Sequence, residues 1–580
     1  MSGILFAADA AQQAVFGNAS DIFVFFLFLA AVIFVAFGVS RNSGHDSESY
    51  FLAGRGLKWW LIGFSLIAAN ISAEQFVGMS GQGSDYIGLA IASYEWIAAI
   101  SLVIVAFFFL PRFLKSGIYT IPQYLETRYS RSARTVMSIF MMIMLVAVNI
   151  TVVTYAGAKA YAVFFEGMKI NGIALDLKFF CWLIGIFAAL YIFAGGLKAC
   201  AWADLLQGSA LIVAGCVVLY FTVKKLGSAD AVLLASSVAP EGTPEHTDLF
   251  NQLSGGDAWE RFNLLNEAKL RMNLPKWDLV IPVTALIVGI WIPNLYYWGL
   301  NQYIIQRAFA AKSLPEAQKG LAFAAFLKLL IPFIVVIPGI VAYVMYTEGH
   351  FGAVEALTKA NGALNNDNAY PWLISSFIPT GLKGLVLAAL AAAIISSLAS
   401  MLNSASTIYT MDIYKPYIAP KVKEKTGKDV SLVLVGQISA ALFLIIAILI
   451  APALGSIGQM FQYIQEYTGL VSPGILALFL LGLFWKKTTN KGAVTGVLLS
   501  IPIALALKFL PIDMPFIDQM FYTCLLTMAI IVMVSLCTCE NDDDVKAISL
   551  TSSMFQTKRD FHIAAYAILI LLVVIYTVFW

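Results

Sequence analysis

The chain has 580 residues, 60% hydrophobic and only 12% charged, with a formal net charge of +2 and a mean hydropathy of +0.82. A soluble globule carries about a quarter of its residues charged, so this composition excludes one and describes a polytopic membrane protein. The near-neutral balance offers no basis for nucleic-acid binding, and Cys181, Cys200, Cys216, Cys524, Cys537 and Cys539 show no C-x-x-C pairing for zinc or redox chemistry.

In chain order, "GILFAADAAQQAVFG" imitates a secretory leader but lacks a basic start, and it reads as an uncleaved tail. Apolar stretches of roughly 18 residues or more follow. They lie near 21–40, 58–80, 86–111, 135–165, 177–195, 202–223, 279–300, 318–346, 379–411, 431–450, 457–482, 493–510, 518–537 and 562–580. The expected fold class is therefore all-α, with about fourteen transmembrane helices. Placing the N-terminus outside puts "PRFLKSGIYTIPQYLETRYSRSAR", "QRAFAAKSLPEAQK", "YKPYIAPKVKEKTGKD" and "WKKTTNK" in the cytoplasm, and over all inside segments about 23 of the 36 basic residues against about ten outside. Both termini then face outward.

Segments 224–277 and 347–370 read as external loops, the first with a short helix at "DAWERFNLLNEAKLRM". The acidic run "ENDDD" (540–544) reads as a solvated cluster, and "GQGSDYIG" follows no strand, so its glycines carry no nucleotide reading.

The second span contains "AANISAEQFVGMSG" (68–81), with an Asn, two Ser, a Glu, a Gln and two Gly inside an otherwise apolar run. Backbone that leaves helical geometry in a bilayer needs protein or a water-filled cavity for partners. A second interruption is expected five spans on, in "LIVGIWIPNLYYWGLNQ" (286–302), where Gly289, Pro293 and Gly299 punctuate the run around Asn294. Two spans broken alike, five apart, are the pattern of inverted five-helix repeats with cargo and ion between them. Chance kinks are the plainer alternative.

Glu74, Glu95, Lys159, Asp204 and Lys328 fall within or at the edges of spans, where a charge costs roughly 2.5 to 3.5 kcal/mol. Snorkelling or a local ion pair accounts for Lys159 and Asp204. Glu95 and Lys328 lie deeper, and with Gln75, Asn294 and Gln465 they give mixed donors and acceptors suited to an uncharged polyhydroxyl solute. Met79, Tyr94, Tyr297, Trp298 and Phe461 flank the breaks as candidate gates, with core packing as the alternative for any one of them. The run "LAALAAAIISSLASMLNS" (387–404) brings Ser396 and Ser397 onto a small-residue helix that admits a close neighbour, a source of hard oxygens for sodium. Tight helix packing explains the same run equally well.

"FLAGRGLKWWLIGFSLIAANISAEQFVGMSGQG", "IASYEW", "NLYYWGLNQYIIQR", "AALAAAIISSLASMLNS", "FQYIQEYTGLVSPGILALFLLGLFWKKTTNKGAVTG" and "TSSMF" resemble the sodium/solute symporter family, in its bacterial sodium/galactose (sodium/glucose-type) branch. The resemblance runs through nearly the whole chain and is weakest in 224–277. It implies a LeuT-type core of ten helices with broken first and sixth core helices, one helix before it and three after. The divisions expected are 1–50 (tail, extra helix and linker), 51–224 (first repeat), 225–277 (external loop), 278–484 (second repeat) and 485–580 (three C-terminal helices). It implies sodium held by carbonyls of Ala68, Ile71 and Ala393 with the hydroxyls of Ser396 and Ser397. It implies sugar contacts at Gln75, Glu95, Asn294, Lys328 and Gln465. The outer gate would be Met79, Tyr94 and Phe461, and the inner gate Tyr297 with Asn70 behind it and Trp298 beside it. Asp204 would stand on the sodium exit path. Ala98 departs from sugar-carrying relatives, which place a Ser there, and this puts galactose preference in doubt.

The function expected is sodium-driven sugar uptake by alternating access across a bacterial inner membrane, with no enzymatic step. The partners are sodium, a sugar and the lipid bilayer, with the oligomeric state open. Rival readings change the cargo to inositol, an acidic sugar, an amino acid or an anion, change the ion to a proton, or make the protein a transporter-like sensor. The last would be expected to carry an output domain beyond "VVIYTVFW".

Overall fold

The computed structural model describes residues 19–40, 46–72, 74–85, 87–165, 169–170, 172–236, 238–269, 283–347, 349–359, 362, 364–427, 429–456, 460–510, 514–539, 546 and 555–579. Within these, nothing is described of the side chains of residues 37, 39–40, 163–164, 170, 191–195, 267–269, 350, 455–456 and 460–464. The tail 1–18 and "ENDDD" lie outside the described residues.

Backbone amides in hydrocarbon must be satisfied within their own segment, and the chain answers with helices. Among the described residues the one strand pair is a two-residue hairpin, Lys169–Ile170 against Ile173–Ala174. Among the described residues eleven helices are long and apolar enough to cross a membrane, twelve if the bent pair Trp59–Asn70 and Glu74–Gly83 is one span, and Leu177–Leu190 and Ala285–Leu300 are shorter apolar helices. The expected helix in the first external loop is present as Ala258–Lys269.

The helix Leu382–Ile408 forms the centre of the molecule. Every residue from Val386 to Ile408 is buried, and its Ala and Ser surface lets neighbouring backbones approach closely. Its N-terminus is capped from another helix: Asp21 Oδ1 accepts the backbone amides of Gly381 (2.7 Å) and Gly384 (2.8 Å). This fastens the helix Ala19–Ser40 to the core. At the periphery Phe23, Phe26, Phe34, Tyr566 and Ile570 are exposed, as side chains facing lipid are.

The segment Leu177–Gly227 is 51 residues of helix, too long for one crossing at 1.5 Å per residue. It is divided at Gly196, whose φ is +59 and whose missing Cβ would sit 2.3 Å from the Tyr50 carbonyl. No other residue fits both conditions.

The four basic segments expected on one membrane face are joined either to one another or to the turn at residues 55–57. Arg55 Nη2 donates to the Gly117 carbonyl (2.9 Å), the Leu57 amide to the Ala310 carbonyl (3.0 Å), Arg131 to the Pro416 carbonyl (2.6 Å) and Arg128 to the Thr488 carbonyl (2.9 Å).

The first interruption falls where the polar stretch places it. The helix Trp59–Asn70 ends at Ile71 in extended conformation (φ −79, ψ 108), and the chain resumes helix at Glu74 with a bend of 58°. The second falls within the expected stretch 286–302, at its end and not at the glycines and proline that marked it. Pro293 and Gly299 lie inside a regular helix, Trp291–Leu300, and the chain turns out at Asn301 (ψ 121) before resuming as Gln302–Phe309. Pro293 sits in a first turn, where its missing donor costs nothing, and Gly299 serves close packing: a Cβ there would lie 2.8 Å from the Phe109 ring. Gly289 ends a π-helical turn, Ala285–Gly289, and Asn294 is buried, 6% exposed.

Candidate functional site

A cavity lies between the two interrupted segments. Gln75, Glu95, Asn294, Lys328 and Gln465 all line it, together with Asn70, Tyr94, Tyr297 and Trp298. Gln75, Glu95, Asn294, Lys328 and Gln465 are thus gathered around one space by five different helices, Glu74–Met79, Ser93–Ile104, Trp291–Leu300, Leu314–Thr347 and Met460–Phe484. Each is held in place. Gln75 Oε1 accepts the Ser72 amide freed by the break (2.9 Å), and Asn294 Nδ2 donates to the Ile290 carbonyl one turn back (3.0 Å). Lys328 forms an ion pair with Glu95, and its Nζ lies 5.1 Å from the centroid of the Trp298 ring. Pairing and the ring face are what make a buried ammonium tolerable.

On one side of the cavity the two breaks are stitched together. Asn70 Nδ2 donates to Tyr297 Oη (2.8 Å), and the hydroxyls of Tyr297 and Tyr303 are hydrogen-bonded to each other. Tyr297 also packs edge-on against Trp298. Asn70 therefore ties the end of one half-helix to Tyr297, the expected inner-gate residue, on the other. Of the residues expected at the outer gate, Tyr94 lines the cavity and Met79, fully buried, is not among its lining side chains; the side chain of Phe461 lies outside the described residues.

The residues expected at the ion divide into two groups. Ser397 Oγ reaches the carbonyls of Ala69 (3.0 Å) and Ala68 (3.5 Å), at the end of the first half-helix, where carbonyls lose their in-helix donors. Ile71 follows directly in extended conformation, and Ala393 lies one turn before Ser397. Uncharged hard oxygens converging in this way suit a monovalent cation. Ser396 does otherwise: its hydroxyl is bonded to Asp204. Asp204 is itself paired with Arg307 (3.2 Å) and accepts from Ser65, while Arg307 Nε donates to Ser65 Oγ (2.7 Å) and the guanidinium also bonds Ser400. Every member of this cluster is buried. Local ion pairs were the plain expectation for both edge-of-span charges, and Lys159 has one too, to Asp367 at 2.7 Å.

Sequence reasoning missed Tyr303, Asn301, Asn149 and Thr468 on the cavity wall, and Arg307 in the buried cluster. Arg307 stood among the basic residues of a cytoplasmic loop. Its signal was its place on an apolar helix face, in "YIIQRAF".

A many-helix membrane bundle interrupted at Ile71 and Asn301 beside a polar cavity has the architecture of a membrane transporter. The sodium:solute symporter family matches residues 50–500, and the chain belongs to that family. The sodium/glucose cotransporter of Vibrio parahaemolyticus is 51% identical over 566 residues, covering 97% of this chain and 98% of that protein. The sodium/myo-inositol cotransporter 2 of Sus scrofa is 32% identical, covering 84% of this chain and 69% of that one. Among solved structures, the substrate-bound outward-open state of a Na+-coupled sialic acid symporter superposes with a TM-score of 0.70 at 22% identity, over 92% of this chain and 99% of that one. At that identity it establishes the fold alone.

Proposed function

We propose that the five polar side chains of the cavity bind a hexose of the galactose or glucose type, and that the break at Ala68–Ile71 with Ser397 binds the sodium that drives its uptake. The protein is a sodium-coupled sugar transporter, multi-pass in the membrane, and it works as a secondary active carrier. The observation that carries the reading is the meeting of Gln75, Glu95, Asn294, Lys328 and Gln465 on one cavity closed by Tyr297. Each sugar hydroxyl both gives and takes a hydrogen bond, and this wall supplies amides, a carboxylate and an ammonium.

The finer architecture belongs to the same reading. Counting the bent pair and the two shorter apolar helices as crossings gives fourteen, as two inverted five-helix repeats (51–224 and 278–484), with one helix before and three after. The interruptions at Ile71 and Asn301 are the matching breaks of those repeats. The membrane is the bacterial inner membrane, with both termini external and the basic loops inside.

Sodium bridges the broken helix to Ser397 and orders Asn70 and Gln75 for the sugar. After the carrier rocks inward, sodium leaves past Asp204, the bridge loosens, and Tyr297 releases the sugar. Met79, Tyr94 and Phe461 close the outer side. Membrane potential adds roughly 2.3 kcal/mol per charge per 100 mV. A cyclic polyol such as inositol is the second reading, supported by the 32% identity to the sodium/myo-inositol cotransporter 2 of Sus scrofa, while Ala98 lines the cavity without the hydroxyl expected of a galactose carrier. The test is uptake into proteoliposomes of galactose, glucose, myo-inositol and a non-sugar panel under an inward sodium gradient, with sodium omission as control. Hexose uptake that vanishes without sodium is expected; uptake independent of sodium, or of no hexose at all, defeats the reading.

A further inference from the structure

Formal charges on the cavity wall do not cancel. Lys328 is committed to Glu95, in a pair whose side chains are 1% and 6% exposed. Among the described residues lining the cavity Lys328 is the one Lys or Arg, whereas Glu74 is a second carboxylate. Glu74 opens the second half-helix immediately after the break, its amide donating to Ser72 Oγ at 3.2 Å, and its side chain is half-buried. Among the described residues no cation lies within ion-pair distance of it. The wall therefore carries one carboxylate more than its cations balance.

We infer that Glu74 sets the permitted charge of the cargo: the carrier accepts neutral and amine-bearing sugars and rejects sugars that bear a carboxylate. This deepens the reading above and rests on it. Charges facing each other across a cavity in the protein interior interact far more strongly than the same charges in water, and salt screens them little. An acidic sugar would meet Glu74 with no counter-cation to spare, since recruiting Lys328 strands Glu95 in a buried site. An ammonium group on the sugar would instead find a partner. This is selection by repulsion, which discriminates between cargoes of nearly equal shape. The plainer role for Glu74 is to place negative charge at a helix N-terminus. That role would affect folding and leave cargo selectivity unmoved. Bound sodium attracts any anion equally in parent and variant, so it drops out of the comparison.

The experiment is sodium-driven uptake of labelled galactose into proteoliposomes, competed by unlabelled galactose, galactosamine and galacturonate. In the parent, galacturonate is expected to inhibit at least about tenfold more weakly than galactose, with galactosamine no weaker than galactose. In Glu74→Gln the ratio of the galacturonate to the galactose inhibition constant falls at least about threefold, and in Glu74→Asp it is kept. Ratios are taken within each protein, so a loss of folded carrier cancels. Galacturonate competing as well as galactose in the parent overturns the inference without any variant, and so does a ratio identical in parent and Glu74→Gln. Absence of hexose uptake by the parent is seen before any competitor is added, and it strikes the functional reading instead.

Discussion

Ser396 and Ser397 are adjacent in the chain and serve different partners. Successive residues of an α-helix point about 100° apart, and here that rotation sends one hydroxyl to the Asp204 carboxylate and the other to the carbonyls of Ala69 and Ala68. Ser397→Ala should therefore raise the sodium concentration for half-maximal uptake by about tenfold or more, the worth of one lost ligand, while leaving sugar affinity at saturating sodium much closer to the parent. An unchanged sodium curve would take Ser397 out of the ion site. Tyr297→Phe keeps the ring against Trp298 and removes the hydroxyl that accepts from Asn70 and bonds Tyr303. Two neutral hydrogen bonds are worth about 1 to 3 kcal/mol together, so sugar efflux and exchange should speed up several-fold, and parental rates would show that the ring alone is the gate. The cavity side chains were legible in the sequence because polar and charged residues inside apolar runs have few physical excuses. The split between the two serines was not, since composition places both on the same small-residue helix and only packing decides where each points. Tyr303 escaped for a related reason: an aromatic in a membrane span reads as core until its hydroxyl is seen to have a partner.

At the scale of elements, lengths and apolar runs fixed where helices lie, and single residues fixed where they stop. The division of Leu177–Gly227 at Gly196 shows the second kind of control. Gly196→Ala combines a left-handed backbone with a Cβ 2.3 Å from the Tyr50 carbonyl, and it should destabilise the protein by about 1 to 3 kcal/mol. A fall of roughly one to two degrees in thermal unfolding in detergent is the expected outcome, and unchanged unfolding would show that the two crossings are set by their other neighbours. The first break was readable because "AANISAEQFVGMSG" loads it with polar side chains whose hydrogen bonds, Gln75 to Ser72 among them, replace the lost helical ones. The second falls inside its expected stretch, but not at the residues expected to cause it, because glycine and proline have more than one use in a membrane helix. Pro293 starts a turn and Gly299 makes room for Phe109, while the departure itself occurs at Asn301, which carries no breaker of either type.

For the whole molecule, the proposed ion and sugar sites meet at the first break. Ala68 and Ala69 face Ser397 on one side of it, and Gln75 reaches back from the cavity wall to the Ser72 amide on the other. Ordering this short stretch for either ligand spares the other that cost, so the two sites are coupled without touching. The coupling is reciprocal by thermodynamic necessity: the factor by which saturating sodium raises sugar affinity must equal the factor by which saturating sugar raises sodium affinity. A coupling of about 1 to 3 kcal/mol makes that factor about 5 to 150. Equilibrium binding of labelled sugar across a sodium series, and of sodium across a sugar series, measures both factors in the purified carrier. Ser397→Ala should lower the two together, because it loosens the bridge from Leu382–Ile408 to the break, whereas Gln465→Ala should weaken sugar binding and keep the factor near its parental value. A factor of one in the parent, or a Ser397→Ala carrier that binds sodium poorly yet keeps the parental factor, would mean that the message between the sites travels through some element other than the broken helix.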